Sequence, residues 1–145
     1  MTGQAGGLPW SFEQKVRDFL RPGVRVLSVG GGEYLLALGH PAELVSVADG
    51  PGAFPFEDGL FDLAVAYHAD LDWGEAARVL KRGGFLVTQQ IGGRNRPGRP
   101  DYNLENQGPL LEAAGFRLMY SHQAYVPGEV DHRLLHRFIL VGKKR

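Results

Sequence analysis

Four groups of residues in this chain have the types and spacing to do chemistry. Gly30, Gly31 and Gly32 form an unbroken row between the apolar run VRVLSV and the helix-compatible EYLLALGH. A strand that turns through glycines into a helix lets backbone approach a ligand closely, and the N–H groups at the helix start favour a polar or anionic one. Glu33 begins that helix. Asp49-Gly50 follows a second apolar run, ELVSV, and His68 follows a third, LFDLAVAY. Gln89, Gln90 and Asn95 lie in TQQIGGRN, the polar end of an otherwise apolar segment. Open α/β sheets bind ligands beyond the carboxyl ends of their strands, where all four groups are expected. Each also has a plainer reading. The glycines can serve a tight turn alone, and Asp49 can cap one. His68 can be a packed histidine rather than a catalytic base. The three amides can hydrogen-bond a polar substrate or merely satisfy an open strand end.

The elements that must position these residues are legible from pattern. Ser11 with Gln14 three positions later has capping-box spacing, and Phe12, Val16, Phe19 and Leu20 share one helical face that Pro22-Gly23 ends. Residues 24–29 read as a strand buried on both faces. Residues 33–39 can form two helical turns, and 43–49 and 60–68 read as the next strands. DWGEAARVLKRGG reads as a helix with Ala76, Val79 and Leu80 inward and Gly83-Gly84 at its C-terminal stop. FLVTQQIGG is a fourth strand, and RNRPGRPDYN resembles a flexible insertion. GPLLEAAGF reads as a helix beginning at Pro109, because proline breaks a helix begun near Leu104 but suits a first helical position. Strands near 116–123 and 134–141 follow with no helical pattern between them. The expectation is an α/β fold: a Rossmann-like open, mostly parallel sheet of about six strands with flanking helices and an antiparallel C-terminal pair.

Bulk properties narrow the function. A chain of 145 residues is expected to be a single domain, with 1–23 a leader and helix and 24–145 the core sheet. Sixteen Lys+Arg balance sixteen Asp+Glu, so neither nucleic acid nor a membrane surface is an expected partner. There is no cysteine, hence no disulfide, cysteine metal site or thiol nucleophile. With no signal-peptide pattern and no apolar window of ~18 residues, a cytoplasmic location is expected. His132 and His136 are spaced i, i+4, half a metal site on a helix, but the segment reads as strand and no carboxylate completes it; no metal is expected. Arg94, Arg96 and Arg99 read as a solvated loop or, alternatively, a contact for an acidic substrate or partner. Glu75 and Arg78 read as solvated helix positions.

Four segments, VLSVGGGEYLLAL, AFPFEDGLFDLAVAYH, EAARVLKRGGFLVTQQIGGRN and LLEAAGFRLMYSHQAY, taken in this order, resemble the class I S-adenosylmethionine-dependent methyltransferases. The likeness is to the small-molecule, type 11-like members with a PFEDGxFD loop, and it spans roughly residues 24–141. It implies S-adenosylmethionine as cofactor, with Ser28, Gly30, Gly31, Gly32, Glu33, Asp49, Gly50 and Phe56 as its contacts. In the resemblance Asp49 lies near the adenine, or serves both there and as the acid that binds the ribose; Phe56 flanks the adenine, while His68 lines the active site. The chain also departs from the family pattern. Matching the first glycines puts Ser28 where the family loop has an acid and Tyr34 near its last glycine; matching GGGE instead leaves two residues missing between strand and loop. Residues 33–59 are too few for the helix, strand, helix and strand expected there, which need roughly 45. One strand-helix unit is therefore expected to be absent.

Two functions follow from the resemblance. One is methyl transfer from S-adenosylmethionine to a small-molecule acceptor, with His68 as candidate base and Gln89, Gln90 and Asn95 toward the substrate. The other is a non-catalytic binding or interaction module that has lost the cofactor, with a homodimer covering the edge left by the missing unit.

Overall fold

The computed structural model describes residues 7–31, 35, 43–50, 52–128 and 133–145. The elements run α1 (Phe12–Arg17), β1 (Arg25–Val29), β2 (Glu43–Val47), β3 (Phe61–Tyr67), α2 (Trp73–Val79), β4 (Leu80–Ile91), a short 3-10 turn (Gly93–Asn95), α3 (Leu104–Ala113), β5 (Phe116–Pro127) and β6 (Leu134–Lys144). They build one six-stranded sheet in the order β2-β1-β3-β4-β6-β5. β2, β1, β3 and β4 are mutually parallel, and β6 runs antiparallel to both β4 and β5. The fold is thus the mostly parallel, Rossmann-like open sheet with an antiparallel C-terminal pair. The helix expected over 33–39 lies outside the described residues.

The near-continuous apolar strands are explained by a sheet covered on both faces. Leu27, Val29, Ala64, Ala66, Leu86 and Leu140 face α2 and α3. Val26, Leu63, Val65, Val87 and Ile139 face α1 with Trp10, Phe12, Val16 and Leu20. Alternate residues of each strand therefore serve opposite core layers. Ser11 caps α1 by accepting from Gln14 N–H. Gln14 turns its side chain to Asp18 instead of back to the cap, so only half of the capping box forms.

Four expectations need correction. α2 stops at Val79 because Leu80 already pairs with Phe61, and Gly83-Gly84 lie inside β4. There they form a register irregularity, where a Cβ on Gly84 would stand 2.9 Å from the Lys81 carbonyl oxygen. α3 starts at Leu104 rather than Pro109: Asn103 caps it through Asn106 N–H, and the Gln123 amide oxygen accepts from Leu104 N–H. Pro109 sits inside the helix, and the bond that it forgoes would join two exposed residues, 105 and 109. Residues 94–103 are no flexible insertion; they are pinned by Arg96, as shown below. Arg78 is no solvated helix position, since it donates to the carbonyls of Phe54 and Phe56 and to Asp58 and Glu75, stapling the loop before β3 to α2. Among the described residues, no helix is long and apolar enough to cross a membrane.

Candidate functional site

Beyond the carboxyl end of β1 the chain turns through Gly30 and Gly31, both in the left-handed region with φ of 86° and 108°. Side chains rarely adopt that conformation, which is why glycines stand here. Gly30 has a second reason: a Cβ there would lie 2.6 Å from Ala69 Cβ, where the segment after β3 presses on the turn. Gly30 N–H donates to Val47 O at 2.8 Å, and Gly50 N–H to Asp70 O at 2.9 Å, stitching the ends of β1, β2 and β3 together. Ser28 is fully buried and donates its hydroxyl to the Gly31 carbonyl. It closes the turn from inside. Gly31 and Asp49 are exposed, and Asp49 Cβ comes within 3.7 Å of the position that a Cβ on Gly30 would occupy. Gly32, Glu33 and Tyr34 lie outside the described residues.

Phe56 is elsewhere. Its ring meets Phe61 edge-on at 5.1 Å, at the amino end of β3, and its carbonyl accepts from Arg78. The glycine turn lies at the opposite, carboxyl end of the strands.

His68 ends β3 and is the only described non-glycine residue with positive φ, 51°. Its ring stacks on Tyr67 at 4.0 Å. Its Nε2 stands 3.0 Å from Gln89 Nε2, and Gln89 Oε1 accepts from the Trp10 indole N–H at 2.8 Å. Burial first, then Arg137 and Arg96, lower the His68 pKa to about 4. The imidazole is therefore neutral at pH 7.

The other candidate amides are engaged inside the protein. Gln90, fully buried, donates to Ala69 O and Thr88 Oγ1, both at 2.8 Å, and accepts from Arg96 Nη2 at 3.0 Å. Asn95 donates to Leu134 O and accepts from His136 N–H and Arg137 Nη1, buckling the 3-10 turn to β6. Arg96 is spent as well. It donates to Ile91 O, to Asp70 Oδ1 at 2.8 Å and to Gln90, with its guanidinium 4.1 Å over the Tyr102 ring. Nothing in the spacing of RNRPGRPDYN distinguishes Arg96 from Arg94 and Arg99. The Tyr102 ring that both Arg96 and Arg99 cover was the available signal. Trp10 was missed too, although a tryptophan just before a helix cap needs both a buried place and a partner for its N–H.

His136 has both ring nitrogens committed: Nδ1 accepts from Arg94 N–H, and Nε2 meets Gln123 Oε1 at 2.7 Å. Burial lowers its pKa. No group of three metal-ligating side chains occurs among the described residues, and His132 lies outside them.

An open hollow of about 290 Å³ remains at the carboxyl ends of β3 and β4, lined by His68, Asp70, Ile91, Asn95, Arg96 and Arg99 among others. A larger hollow, about 440 Å³, opens at the opposite ends of the strands near Phe19, Val24 and Asp62. There Asp62 is taken up by Lys81 at 3.2 Å and by Arg25 N–H at 2.9 Å.

The architecture has close structural relatives. The chain superposes on the [4+2]-cyclase SpnF with a TM-score of 0.71 at 16% identity, covering 99% of this chain and 87% of that one. A SAM-dependent methyltransferase from Aquifex aeolicus gives 0.63 at 19% identity, covering 94% and 90%. SAM-dependent methyltransferases from Methanosarcina mazei give 0.60 at 13% identity, covering 90% and 96%. No protein-family model matches the chain, and no curated protein sequence matches it. The chain has the class I methyltransferase fold. SpnF shows that this fold is not confined to proteins named for methyl transfer.

Proposed function

We propose that the chain binds S-adenosylmethionine at the carboxyl ends of β1 and β2 and transfers its methyl group to a small acceptor beyond β3 and β4. The observation that carries this reading is the left-handed Gly30-Gly31 turn beside the exposed Asp49 carboxylate. Open backbone next to an acceptor-only side chain is the surface that a ribose diol or an ammonium group takes. The fold supports it, since SAM-dependent methyltransferases share it.

Gly31 and Asp49 would hold the cofactor, with Gly32 and Glu33, next in the sequence, as further candidates. Gly30 and Ser28 shape the turn from inside. The cofactor supplies a methyl group already activated by its sulfonium, so the protein's task is alignment and exclusion of water. A general base works best with a pKa near the working pH, and His68 at about 4 is far below it. The acceptor must therefore bring a nucleophile that needs no deprotonation by His68.

Calorimetry with S-adenosylmethionine and S-adenosylhomocysteine tests the reading. Both should bind, and Asp49→Ala should weaken binding about tenfold. No heat and no thermal shift at millimolar ligand would overturn it.

A second reading, a non-catalytic interaction module, is favoured by the internal engagement of Gln89, Gln90 and Asn95. β2 ends the described sheet with no residue fully buried. That suits a core lacking one strand-helix unit, whose edge a second copy would cover.

A further inference from the structure

We propose that the hollow at the carboxyl ends of β3 and β4 binds a small carboxylate. His68 donates to it through Nδ1, and Arg99 supplies the positive charge. Trp10 and Gln89 act as positioning residues that set the histidine tautomer. This deepens the methyl-transfer reading by naming the acceptor class, and its test uses no cofactor, so either idea can fail alone.

The argument starts from hydrogen-bond chemistry. An indole N–H can only donate, so the Gln89 atom 2.8 Å from Trp10 Nε1 must be the amide oxygen. That orientation turns the Gln89 NH₂ group to His68 Nε2 at 3.0 Å. An NH₂ group can only donate there, so Nε2 must accept, and the imidazole proton resides on Nδ1. The pair that enforces this is buried: Trp10 is 6% exposed and Gln89 1%. The Trp10–Gln89 bond is shielded from competing water.

Nδ1–H is then the group that His68 offers outward. It has no partner among the described residues, and it is not sealed in. The one buried side-chain nitrogen or oxygen there without a partner is Nδ1 of His122. His68 lines the hollow, and its left-handed backbone holds the ring against Tyr67. A strained residue at a strand end, with one ring nitrogen locked and the other open, is arranged to present a donor.

Charge completes the class. Arg96 and Arg99 face Asp70 around the hollow, and Arg137 adds its charge at His68, so the surroundings are net positive while His68 is neutral. Arg96 is consumed by Asp70, Gln90 and Ile91. Arg99 reaches Asp70 only at 3.9 Å and is half exposed; stacking 4.2 Å over the Tyr102 ring leaves its N–H groups to turn to a ligand. One N–H donor beside one guanidinium suits a singly charged, planar carboxylate. A phosphate dianion would meet Asp70 with twice the charge.

Long-range ¹H–¹⁵N spectra of the labelled protein read the tautomer directly, with His68 assigned by its loss in His68→Asn. The wild type should show a protonated Nδ1 and an unprotonated Nε2. Trp10→Phe frees Gln89 to rotate and should shift His68 toward a tautomer mixture. A proton on Nε2 in the wild type, or a tautomer unchanged in Trp10→Phe, would overturn the positioning role. Acetate and inorganic phosphate are then titrated at equal ionic strength, following His68 and the backbone amides of residues 95–99. Acetate should saturate, phosphate should bind more weakly, and His68→Asn or Arg99→Gln should lower acetate affinity at least tenfold. Equal acetate binding in either variant, or phosphate binding as tightly as acetate, would overturn the site. The wild-type tautomer and the titration need no Trp10 variant, so a W10F protein that fails to fold leaves both arms standing.

Discussion

At the scale of single residues, His68 combines two unusual states. Its φ of 51° costs a non-glycine residue about 1 kcal/mol or more, and its pKa of about 4 lies far below the ordinary histidine value of 6.5. The second state makes a prediction with a definite sign. Between pH 6.5 and about 4 the unfolded chain takes up a proton at this residue and the folded chain does not, so stability falls as pH falls. With a slope that reaches at most about 1.4 kcal/mol per unit, the loss across that window is roughly 2–3 kcal/mol. Asparagine tolerates the left-handed region and does not titrate. His68→Asn should therefore fold, and urea denaturation should show a shallower decline from pH 7 to 4 than in the wild type. Parallel curves would mean that His68 titrates normally in the folded protein. Sequence read His68 as the end of the third strand but could not reveal its tautomer, because the deciding residue, Trp10, lies 79 positions away from Gln89.

At the scale of elements, local signals were readable wherever one residue type decides the conformation. Ser11 marks a helix start, and the Gly30-Gly31 turn follows from glycine's freedom at positive φ. Signals were misleading where a tertiary partner outweighs local propensity. Gly83-Gly84 resemble a helix stop, yet pairing of Leu80 with Phe61 ends α2 four residues sooner. Pro109 resembles a first helical position, yet Asn103 and Gln123 hold the N–H groups of an earlier turn. Asn103 lies within a local window, but Gln123 lies in β5, so that part of the cause is out of reach of any window around residues 104–109. The same contact makes α3 testable. Proline in a helix interior costs about 3 kcal/mol relative to alanine, offset in part because proline also restrains the unfolded chain. Pro109→Ala restores a donor facing Glu105 O on the exposed side of the helix. We expect a stabilisation of about 1–2 kcal/mol by chemical denaturation, with unchanged ligand affinity. A destabilised variant would show that the pyrrolidine ring itself supports α3.

At the scale of the molecule, the sheet is unequal across its width. β1, β3, β4 and β6 each have a strand on both sides and both faces buried, the arrangement that the continuous apolar runs pointed to. β2 has one described partner, β1, and every residue from Glu43 to Val47 is partly or fully exposed. β5 is also an edge, but a longer one, with eleven of its twelve residues paired with β6 and a face against α3. The free energy to open a segment follows the apolar area and hydrogen bonds that it would lose. Opening β2 exposes only half-buried side chains, whereas opening β3 or β4 requires losing both core layers. Native-state hydrogen exchange should therefore separate them. Amides of β3, β4 and β6 should exchange only through global unfolding, and those of β2 bonded to β1 at least about tenfold faster. Because β2 carries Asp49 and Gly50 at its carboxyl end, this opening also loosens one wall of the proposed cofactor cleft. S-adenosylhomocysteine, by bridging the Gly31 turn and Asp49, should slow β2 exchange and leave β3 unchanged. Protection of β2 that instead rises with protein concentration would mark this edge as the contact between two copies of the chain and favour the non-catalytic reading.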